Sequence, residues 1–316
     1  MQYGLKTFVA GLMMACVLPA AMCFRAVEAS ASGGNSAEDA KVSSLSLVVM
    51  DPLAAPLACD CVQGYAQRKY EALGEYLTKK LGREVNVVWA ESLKEAMEKS
   101  GGKADLIIGK HSVVRADAKE AGLKIRPVAK LTGLDDKTTQ TGWIVVRKDD
   151  PAKTVADLKG YRILFGPEDC DEKYAAPIAL LKENGIEVPE KPETAPSCST
   201  AAVQLMELPA TDKAAAVISS YAGPLLEGCG KIEKGDLRVI GESKPVPFIT
   251  MFARREMPDA ELTALKTSLE DVALEAKLLI DLESGSGFEL WKRQSETLSA
   301  NEPAEGSSQT AAKKKN

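Results

Sequence analysis

Residues 45–52 read Leu-Ser-Leu-Val-Val-Met-Asp-Pro, an apolar run that ends in a turn. The run first alternates and then stays apolar, which is typical of a strand buried on both faces. Apolar residues next recur at helical spacing from Tyr65 to Leu81, and Gly82 follows as a helix stop. The order strand, loop, helix is the unit from which parallel α/β sheets are built.

The same unit recurs along the chain. Further strands are predicted at 85–89, 104–109, 143–147, 161–165, 214–218, 237–240 and 248–253. Further helices are predicted at 92–99, 113–121, 155–160, 175–184, 200–207, 221–226 and 259–282. Ser112 is placed to cap the helix that starts at Val113. The pattern restarts after residue 143, which indicates a second lobe, and the strand at 248–253 returns to the first lobe.

The amino terminus has the pattern of an export signal. Lys6 precedes an apolar stretch from Thr7 to Phe24, and small residues surround a cleavage position near Ala29. Arg25 ends the apolar stretch, which is barely long enough to span a membrane. We therefore expect a cleaved signal peptide and a periplasmic protein. An uncleaved anchor and a lipoprotein are the alternatives.

Two polar segments flank the part of the chain that we expect to fold. They are poor in apolar residues, and the second ends in three lysines before Asn316. About 250 residues lie between them, enough for two lobes. The predicted organisation is a signal peptide at 1–29, a disordered linker at 30–44, lobe 1 at 45–142 plus 241–294, lobe 2 at 143–240 and a disordered tail at 295–316.

The composition argues against most catalytic and nucleic-acid-binding classes. The net charge is −5 at pH 7, and lysine and arginine form no cluster outside the tail. His111 is the only histidine, so the chain cannot build a multi-histidine zinc site. The sequence contains no glycine-rich phosphate loop and no nucleophile elbow. We expect a monomer with no enzymatic activity, no cofactor and no nucleic-acid partner.

Three phrases in the sequence resemble those of a known family. They are residues 104–109 (Ala-Asp-Leu-Ile-Ile-Gly), 155–163 (Val-Ala-Asp-Leu-Lys-Gly-Tyr-Arg-Ile) and 239–247 (Val-Ile-Gly-Glu-Ser-Lys-Pro-Val-Pro). Over residues 45–293 the chain resembles the phosphate, phosphite and phosphonate branch of the type 2 periplasmic solute-binding proteins. The resemblance implies two Rossmann-like α/β lobes joined by a strand hinge, with the ligand held in the cleft between them.

Such a cleft has a physical basis that does not depend on the family. Open α/β sheets bind ligands beyond the carboxyl ends of their strands, where helix N-termini offer unpaired N–H groups and partial positive charge. The corresponding segments here are 54–63, 110–112, 166–175, 197–200 and 219–221, and two hydroxyls lie beside Trp143 at the hinge. The residues that we expect to contact the ligand are Cys59, Cys61, Lys110, His111, Ser112, Thr139, Thr141, Cys170, Asp171, Ser197, Cys198, Ser199, Ser219 and Tyr221. The alternative for His111 is a cap of its turn at the surface.

The loop at 167–174 departs from the family. Phosphonate binders have a loop of neutral hydroxyl and glycine donors in this place, whereas this chain carries the four carboxylates of Glu168, Asp169, Asp171 and Glu172. These charges oppose a bound anion unless Lys110 or Lys173 compensates for them. The alternative is that the acids complement a helix N-terminus and face solvent.

The cysteines are a second departure. Five of the seven cysteines lie beyond the signal peptide, and an exported protein meets an oxidising compartment. By the resemblance, Cys170 and Cys198 both lie at the cleft, and we predict a disulfide between them. Cys59 and Cys61 are spaced too tightly for a zinc site, although neighbouring thiols could hold a soft ion such as Cu(I). Disulfides or a buried thiol are the simpler interpretation, and no metal site is assigned.

The function that we predict is the capture of a small ligand for a membrane ABC transporter. The ligand, an oxyanion such as phosphate or a phosphonate or a related compound, is expected to bridge the lobes and favour their closed state. Two alternatives remain open. One is a periplasmic accessory protein of a quinoprotein dehydrogenase, and the other is a thiol-handling or metal-handling protein built around Cys59 and Cys61.

Overall fold

A computed structural model describes residues 44–58, 67–196 and 200–292. The strands are β1 (Leu45–Met50), β2 (Val85–Trp89), β3 (Leu106–Lys110), β4 (Ile125–Leu131), β5 (Thr139–Gln140), β6 (Gly142–Arg147), β7 (Arg162–Phe165), β8 (Glu193–Thr194), β9 (Ala214–Ser219), β10 (Leu237–Glu242), β11 (Val246–Pro247), β12 (Ile249–Arg254) and β13 (Phe288–Leu290). The helices are α1 (Tyr70–Leu81), α2 (Leu93–Lys99), α3 (His111–Glu120), α4 (Ala175–Glu183), α5 (Thr200–Glu207), α6 (Ala222–Gly228), α7 (Asp259–Asp271) and α8 (Ala276–Asp281), with 3-10 turns at Val155–Leu158 and Val272–Leu274.

The strands form two sheets and a short ribbon. The first sheet has the order β13-β4-β12-β3-β1-β2, and the second has the order β10-β6-β9-β7-β8. The chain leaves the first sheet through β5 and returns through β11, and these two strands pair antiparallel as a two-stranded ribbon. An α/β fold with a strand connection was expected from the sequence, and the structure has it.

The expectation of purely parallel sheets is wrong. β1 pairs in parallel with β2 and β3, but β12 runs antiparallel to both β3 and β4. The register explains the direction, because Ile249 at the start of β12 lies opposite Lys110 at the end of β3. A chain that comes back from the second sheet at the carboxyl end of β3 can only run in the opposite direction along it.

The central strands are buried on both faces, as the unbroken apolar run predicts. Leu47 and Val49 face the cluster that contains the apolar side chains of α1, and Val48 and Met50 face the cluster that contains those of α2 and α3. Each such side chain stabilises the fold by about 1.5–3 kcal/mol on burial. The carboxyl end of β1 is therefore held firmly, and the residues that follow it have a fixed position.

One serine caps a helix as the structure has it, and the serine predicted as a cap does not. Ser92 caps α2, and its Oγ accepts a hydrogen bond of 3.3 Å from the amide of Glu95. Ser112 is not a cap, because α3 begins at His111 and Lys110 precedes it. The Ser112 Oγ instead accepts a 3.0 Å hydrogen bond from the amide of Asp171, in the loop after β7.

Several predictions fall outside the described residues. These are the signal peptide, most of the linker, the tail and the segments 59–66 and 197–199. Within the described part of the chain, no helix has the length and apolar character needed to cross a lipid bilayer.

Candidate functional site

The carboxyl ends of β3 and β9 lie close together although they belong to different sheets. Lys110 ends β3 and Ser219 ends β9, and both are buried beside the loop that joins β7 to α4. The rings of Tyr221 and Phe248 pack at a centroid distance of 5.5 Å and link the two sheets on the same side. This junction is the place where the general rule for open α/β sheets puts a ligand.

A buried ion pair occupies the junction. The Lys110 Nζ donates to Glu172 Oε1 at 2.5 Å, and the Ser219 Oγ donates to the same oxygen at 2.9 Å. The ammonium also lies 5.5 Å from the ring centre of Tyr221 and 5.8 Å from that of Phe248. The carboxylate of Glu172 is thus held by groups from both sheets.

The protonation states at this junction follow from burial and charge. Burial alone would raise the pKa of Glu172, but the nearby charges of Lys110 and Lys173 outweigh it and lower the pKa to about 2. Burial raises the pKa of the Cys170 thiol to about 12. At neutral pH, Glu172 is therefore an anion and Cys170 is a neutral thiol that accepts a 3.4 Å contact from Lys110.

A cavity of about 600 Å³ lies next to this ion pair. Its walls come from the segment after β1, the connection between β4 and β6, the end of β9 and the β10–β11 connection. The lining residues are Leu53, Arg68, Gly133, Asp135, Lys137, Thr139, Gln140, Thr141, Trp143, Ser220, Tyr221, Glu242, Pro245 and Phe248. Tyr221 and Phe248 line the cavity and also contact Lys110, so they separate the cavity from the ion pair.

Arg68 is the buried cation of the cavity wall. Its Nη1 donates to Asp51 Oδ2 at 2.8 Å, and the hydroxyl of Tyr70 donates to the same oxygen at 2.5 Å. Burial alone would lower the pKa of Arg68, but Asp51 and Tyr70 raise it, so the guanidinium stays charged. Its Nε is buried without a hydrogen-bond partner in the described part of the chain, and its guanidinium lies 5.9 Å from the centre of the Phe248 ring.

The ribbon of β5 and β11 supplies the hydroxyl-bearing wall. Thr141 Oγ1 donates to Glu242 Oε1 at 2.7 Å, and the Gln140 side-chain amide donates to the hydroxyl of Ser220. These contacts tie Gln140, the last residue of β5, and Thr141, the residue after it, to the second sheet. Thr139 and Thr141 line the cavity beside Trp143.

His111 lies away from the cavity. Its ring stacks on Trp291 with a centroid distance of 4.9 Å, and its Nδ1 is 3.2 Å from the hydroxyl of Thr250. Burial, helped by the charge of Arg115, lowers the pKa of His111 to about 4. In this position the imidazole is a packed side chain of the first sheet.

The structure brings together only part of the predicted site. Lys110, Cys170 and Ser219 meet at the ion pair, Ser112 holds the amide of Asp171, and Thr139, Thr141 and Tyr221 line the cavity. Cys59, Cys61, Ser197, Cys198 and Ser199 lie outside the described residues. Cys170 is a free thiol, so the structure does not show the predicted disulfide. Among the described residues, no group of three or more His, Cys, Asp and Glu side chains is arranged to hold a metal ion.

Two residues of the site were missed from the sequence. Glu172 was recognised as one acid of the 167–174 loop but was not expected to contact Lys110, and Arg68 was not singled out. The signal for Arg68 was its position, because an arginine two residues before α1 can reach Asp51, the acid that directly follows β1. The signal for Glu172 was weaker, because no local sequence pattern distinguishes the four acids of this loop from one another.

The sequence matches the family model described as "ABC transporter, phosphonate, periplasmic substrate-binding protein" over residues 63–294. No curated protein matches the chain. Neither result supports the two alternatives, a dehydrogenase accessory protein or a thiol-handling protein.

Solved structures share the fold at low sequence identity. The Xanthomonas citri protein XAC2383 bound to ATP is 16% identical, with a TM-score of 0.59 over 79% of this chain and 92% of that one. PhnD1 from Prochlorococcus marinus in complex with methylphosphonate is 15% identical, with a TM-score of 0.57 over 79% and 93%. A binding protein component of an ABC phosphonate transporter from Pseudomonas aeruginosa is 14% identical, with a TM-score of 0.55 over 78% and 81%. These similarities show the type 2 periplasmic binding protein fold.

Proposed function

Because the chain belongs to the family of periplasmic substrate-binding proteins of phosphonate ABC transporters, we propose that it captures a small solute in the cavity bordered by Arg68. Proteins of this family bind small molecules in the periplasm and work with a membrane transporter, and they are not enzymes. In this proposal the solute passes unchanged to the transporter. The protein acts as a monomer after removal of residues 1–29.

The proposal assigns the two sheets to two moving lobes, with lobe 1 at 45–142 plus 241–294 and lobe 2 at 143–240. The ribbon of β5 and β11 is the hinge, since it is the short paired connection between the sheets. A solute that contacts both lobes favours the closed arrangement over the open one. The closed arrangement then presents the surface that the transporter recognises.

The observation that carries the proposal is a buried arginine in the wall of a cavity of small-molecule size. The cavity volume of about 600 Å³ lies within the usual range for small-ligand sites. Arg68 supplies a charged guanidinium whose Nη1 pairs with Asp51 and whose Nε has no hydrogen-bond partner in the described part of the chain, and Trp143, Tyr221 and Phe248 supply aromatic surface. The ligand class that fits is a small organic solute with one anionic group, which lies toward Arg68, and an apolar part against the rings.

The test is equilibrium binding of a panel of small carboxylates, sulfonates, phosphonates and phosphate, measured by calorimetry. A ligand at about one hundred times its dissociation constant raises the free energy of unfolding by roughly 2.7 kcal/mol, so thermal unfolding serves as a first screen. We expect at least one anionic solute to bind wild type, and Arg68→Lys to weaken that binding at least tenfold. Lysine keeps the charge but loses the planar set of donors.

Arg83→Lys is the matched control. Arg83 pairs with Glu261 at 3.1 Å between α1 and α7, outside the cavity lining. This control should leave the affinity within about twofold. The proposal is wrong if the folded wild-type protein binds no member of the panel, or if the two arginine variants bind equally well.

A further inference from the structure

The ion pair of Lys110 and Glu172 connects the two sheets. The Glu172 carboxylate lies in this pair as a bound anion would lie in an anion site. Lys110 ends β3 in the first sheet, Ser219 ends β9 in the second sheet, and the Glu172 carboxylate lies between them. All three residues are buried. A charged ammonium and a hydroxyl that both donate to one oxygen form the set of contacts that proteins use for a bound oxyanion.

The carboxylate is held in this position by its own loop. The Asp171 amide, directly before Glu172, donates to the Ser112 hydroxyl on α3 at 3.0 Å. Gly142 at the start of β6 leaves room for the loop, because a Cβ there would overlap the carbonyl oxygen of Glu172. The backbone at Glu172 is therefore fixed by its neighbours. Its side chain is buried against Lys110 and does not move freely at the surface.

One anion, the Glu172 carboxylate, already occupies this position, and the charges of Lys110 and the buried Lys173 both act on it. With Glu172 in place, the Lys110 charge is neutralised in a buried environment. A second anion would meet the carboxylate a few ångströms away, and like charges at that distance oppose each other strongly in a buried site. Without Glu172, the buried ammonium would lose the carboxylate that it contacts at 2.5 Å, and a small free oxyanion would be attracted to the vacated place.

We propose that Glu172 is a specificity-determining residue, which closes the position between Lys110 and Ser219 to free oxyanions such as phosphate or a phosphonate. The inference rests on the proposed solute-binding function and narrows its ligand class. The charged group of the natural solute lies in the cavity, on the other side of Tyr221 and Phe248 from the Glu172 carboxylate.

The experiment compares wild type with Glu172→Ala, using inorganic phosphate, methylphosphonate and acetate as probes in calorimetry at constant ionic strength. We expect Glu172→Ala to bind at least one of the three probes at least tenfold more tightly than wild type does. The double variant Lys110→Met with Glu172→Ala should lose this gain, because it lacks the cation that directly contacts this position.

Glu168→Ala is the matched control, since it removes one negative charge from the same loop and leaves the Lys110 contact in place. Its affinity for the probes should stay within about twofold of that of wild type. The proposal is overturned if wild type binds phosphate or methylphosphonate as tightly as Glu172→Ala does. It is also overturned if the gain persists in the double variant, or if Glu168→Ala gains as much.

Glu172→Ala could unfold during purification. In that case its refolding and its thermal midpoint are measured in acetate or phosphate and compared with the values in chloride at equal ionic strength. A change from chloride to the oxyanion that raises the midpoint of the variant more than that of wild type supports the proposal, and equal rises in the two proteins overturn it. The comparison between variants does not depend on finding the natural solute. A failure of the solute panel on wild type is therefore distinguishable from a failure of this inference.

Discussion

At the scale of single residues, two buried ion pairs of this protein have different roles. Arg68 and Lys110 are both buried cations at the carboxyl ends of strands of the first sheet. Lys110 is neutralised by a carboxylate from the second sheet, whereas Arg68 is neutralised by Asp51 from its own sheet. The Lys110–Glu172 pair therefore links the two sheets. The Arg68–Asp51 pair lies within one sheet and leaves the Arg68 guanidinium at the cavity wall.

His111 gives a prediction for the pH dependence of stability. Burial, with a smaller effect of Arg115, lowers its pKa from 6.5 to about 4. Between these values the unfolded chain binds a proton that the folded protein does not bind, so the free energy of unfolding falls as pH drops from 6.5 to 4. We expect this residue to account for a loss of roughly 2 kcal/mol over that window.

The measurement is urea unfolding of wild type and His111→Gln at several values between pH 7 and pH 4.5. The variant lacks the titrating ring, so the stability advantage of wild type over the variant should shrink as the pH falls. Because His111 is the only histidine in the sequence, no other imidazole contributes to the difference. A difference that stays constant over the whole range would contradict the prediction.

At the scale of elements, the strands and helices with strong local patterns agree with their predictions. The bounds of β1, β2 and α5 match the predicted residues, because their apolar spacing and flanking turns are both clear. β4 was not predicted, since Arg126 and Pro127 interrupt its apolar pattern. Its pairing with β12 is irregular at that point, with a register shift between Met251 and Phe252, as expected where a proline cannot donate to the ladder.

The two serines at helix starts give a prediction at this scale. Ser92→Ala removes the cap of α2 and should cost about 1 kcal/mol of stability. Amide hydrogen exchange at Glu95 should become faster, because the Glu95 amide loses its acceptor. Ser112→Ala should leave the first turn of α3 unchanged and should speed exchange at the amide of Asp171 instead.

Each serine variant is the control for the other, and NMR-detected exchange resolves the two sites. If Ser112→Ala loosened the first turn of α3 and left the Asp171 amide protected, Ser112 would be the helix cap that the sequence suggested. The amide of Asp171 would then be protected by a contact other than the Ser112 hydroxyl.

At the scale of the whole molecule, the second sheet interrupts the first in the sequence. The chain builds most of the first sheet, crosses at β5, completes the second sheet and returns at β11 to add β12. Both crossings therefore lie in one ribbon, and the cavity lies beside it. This arrangement places the cavity beside the short connection between the sheets, as the proposed hinge closure around a solute requires.

Export of the whole protein is the last prediction. In a Gram-negative host, we expect intact mass and N-terminal sequencing of the periplasmic fraction to show a chain that lacks residues 1–29. Ala29→Tyr should accumulate as the uncleaved precursor, because signal peptidase requires a small residue directly before the cleaved bond. Full-length wild-type protein in the membrane fraction would mean that the amino terminus is an anchor.

The sequence by itself determined the α/β class, the order of most helices and central strands, and the family, because these depend on local periodicity and on short phrases in a set order. It also identified the strand ends at which a ligand site forms, since that follows from the geometry of open sheets. Only the tertiary structure decided which acid of the 167–174 loop reaches Lys110, that His111 stacks on Trp291, and that Arg68 borders the cavity. Those contacts join residues that are far apart in the chain, and their partners are set by how the two sheets pack and not by any local pattern.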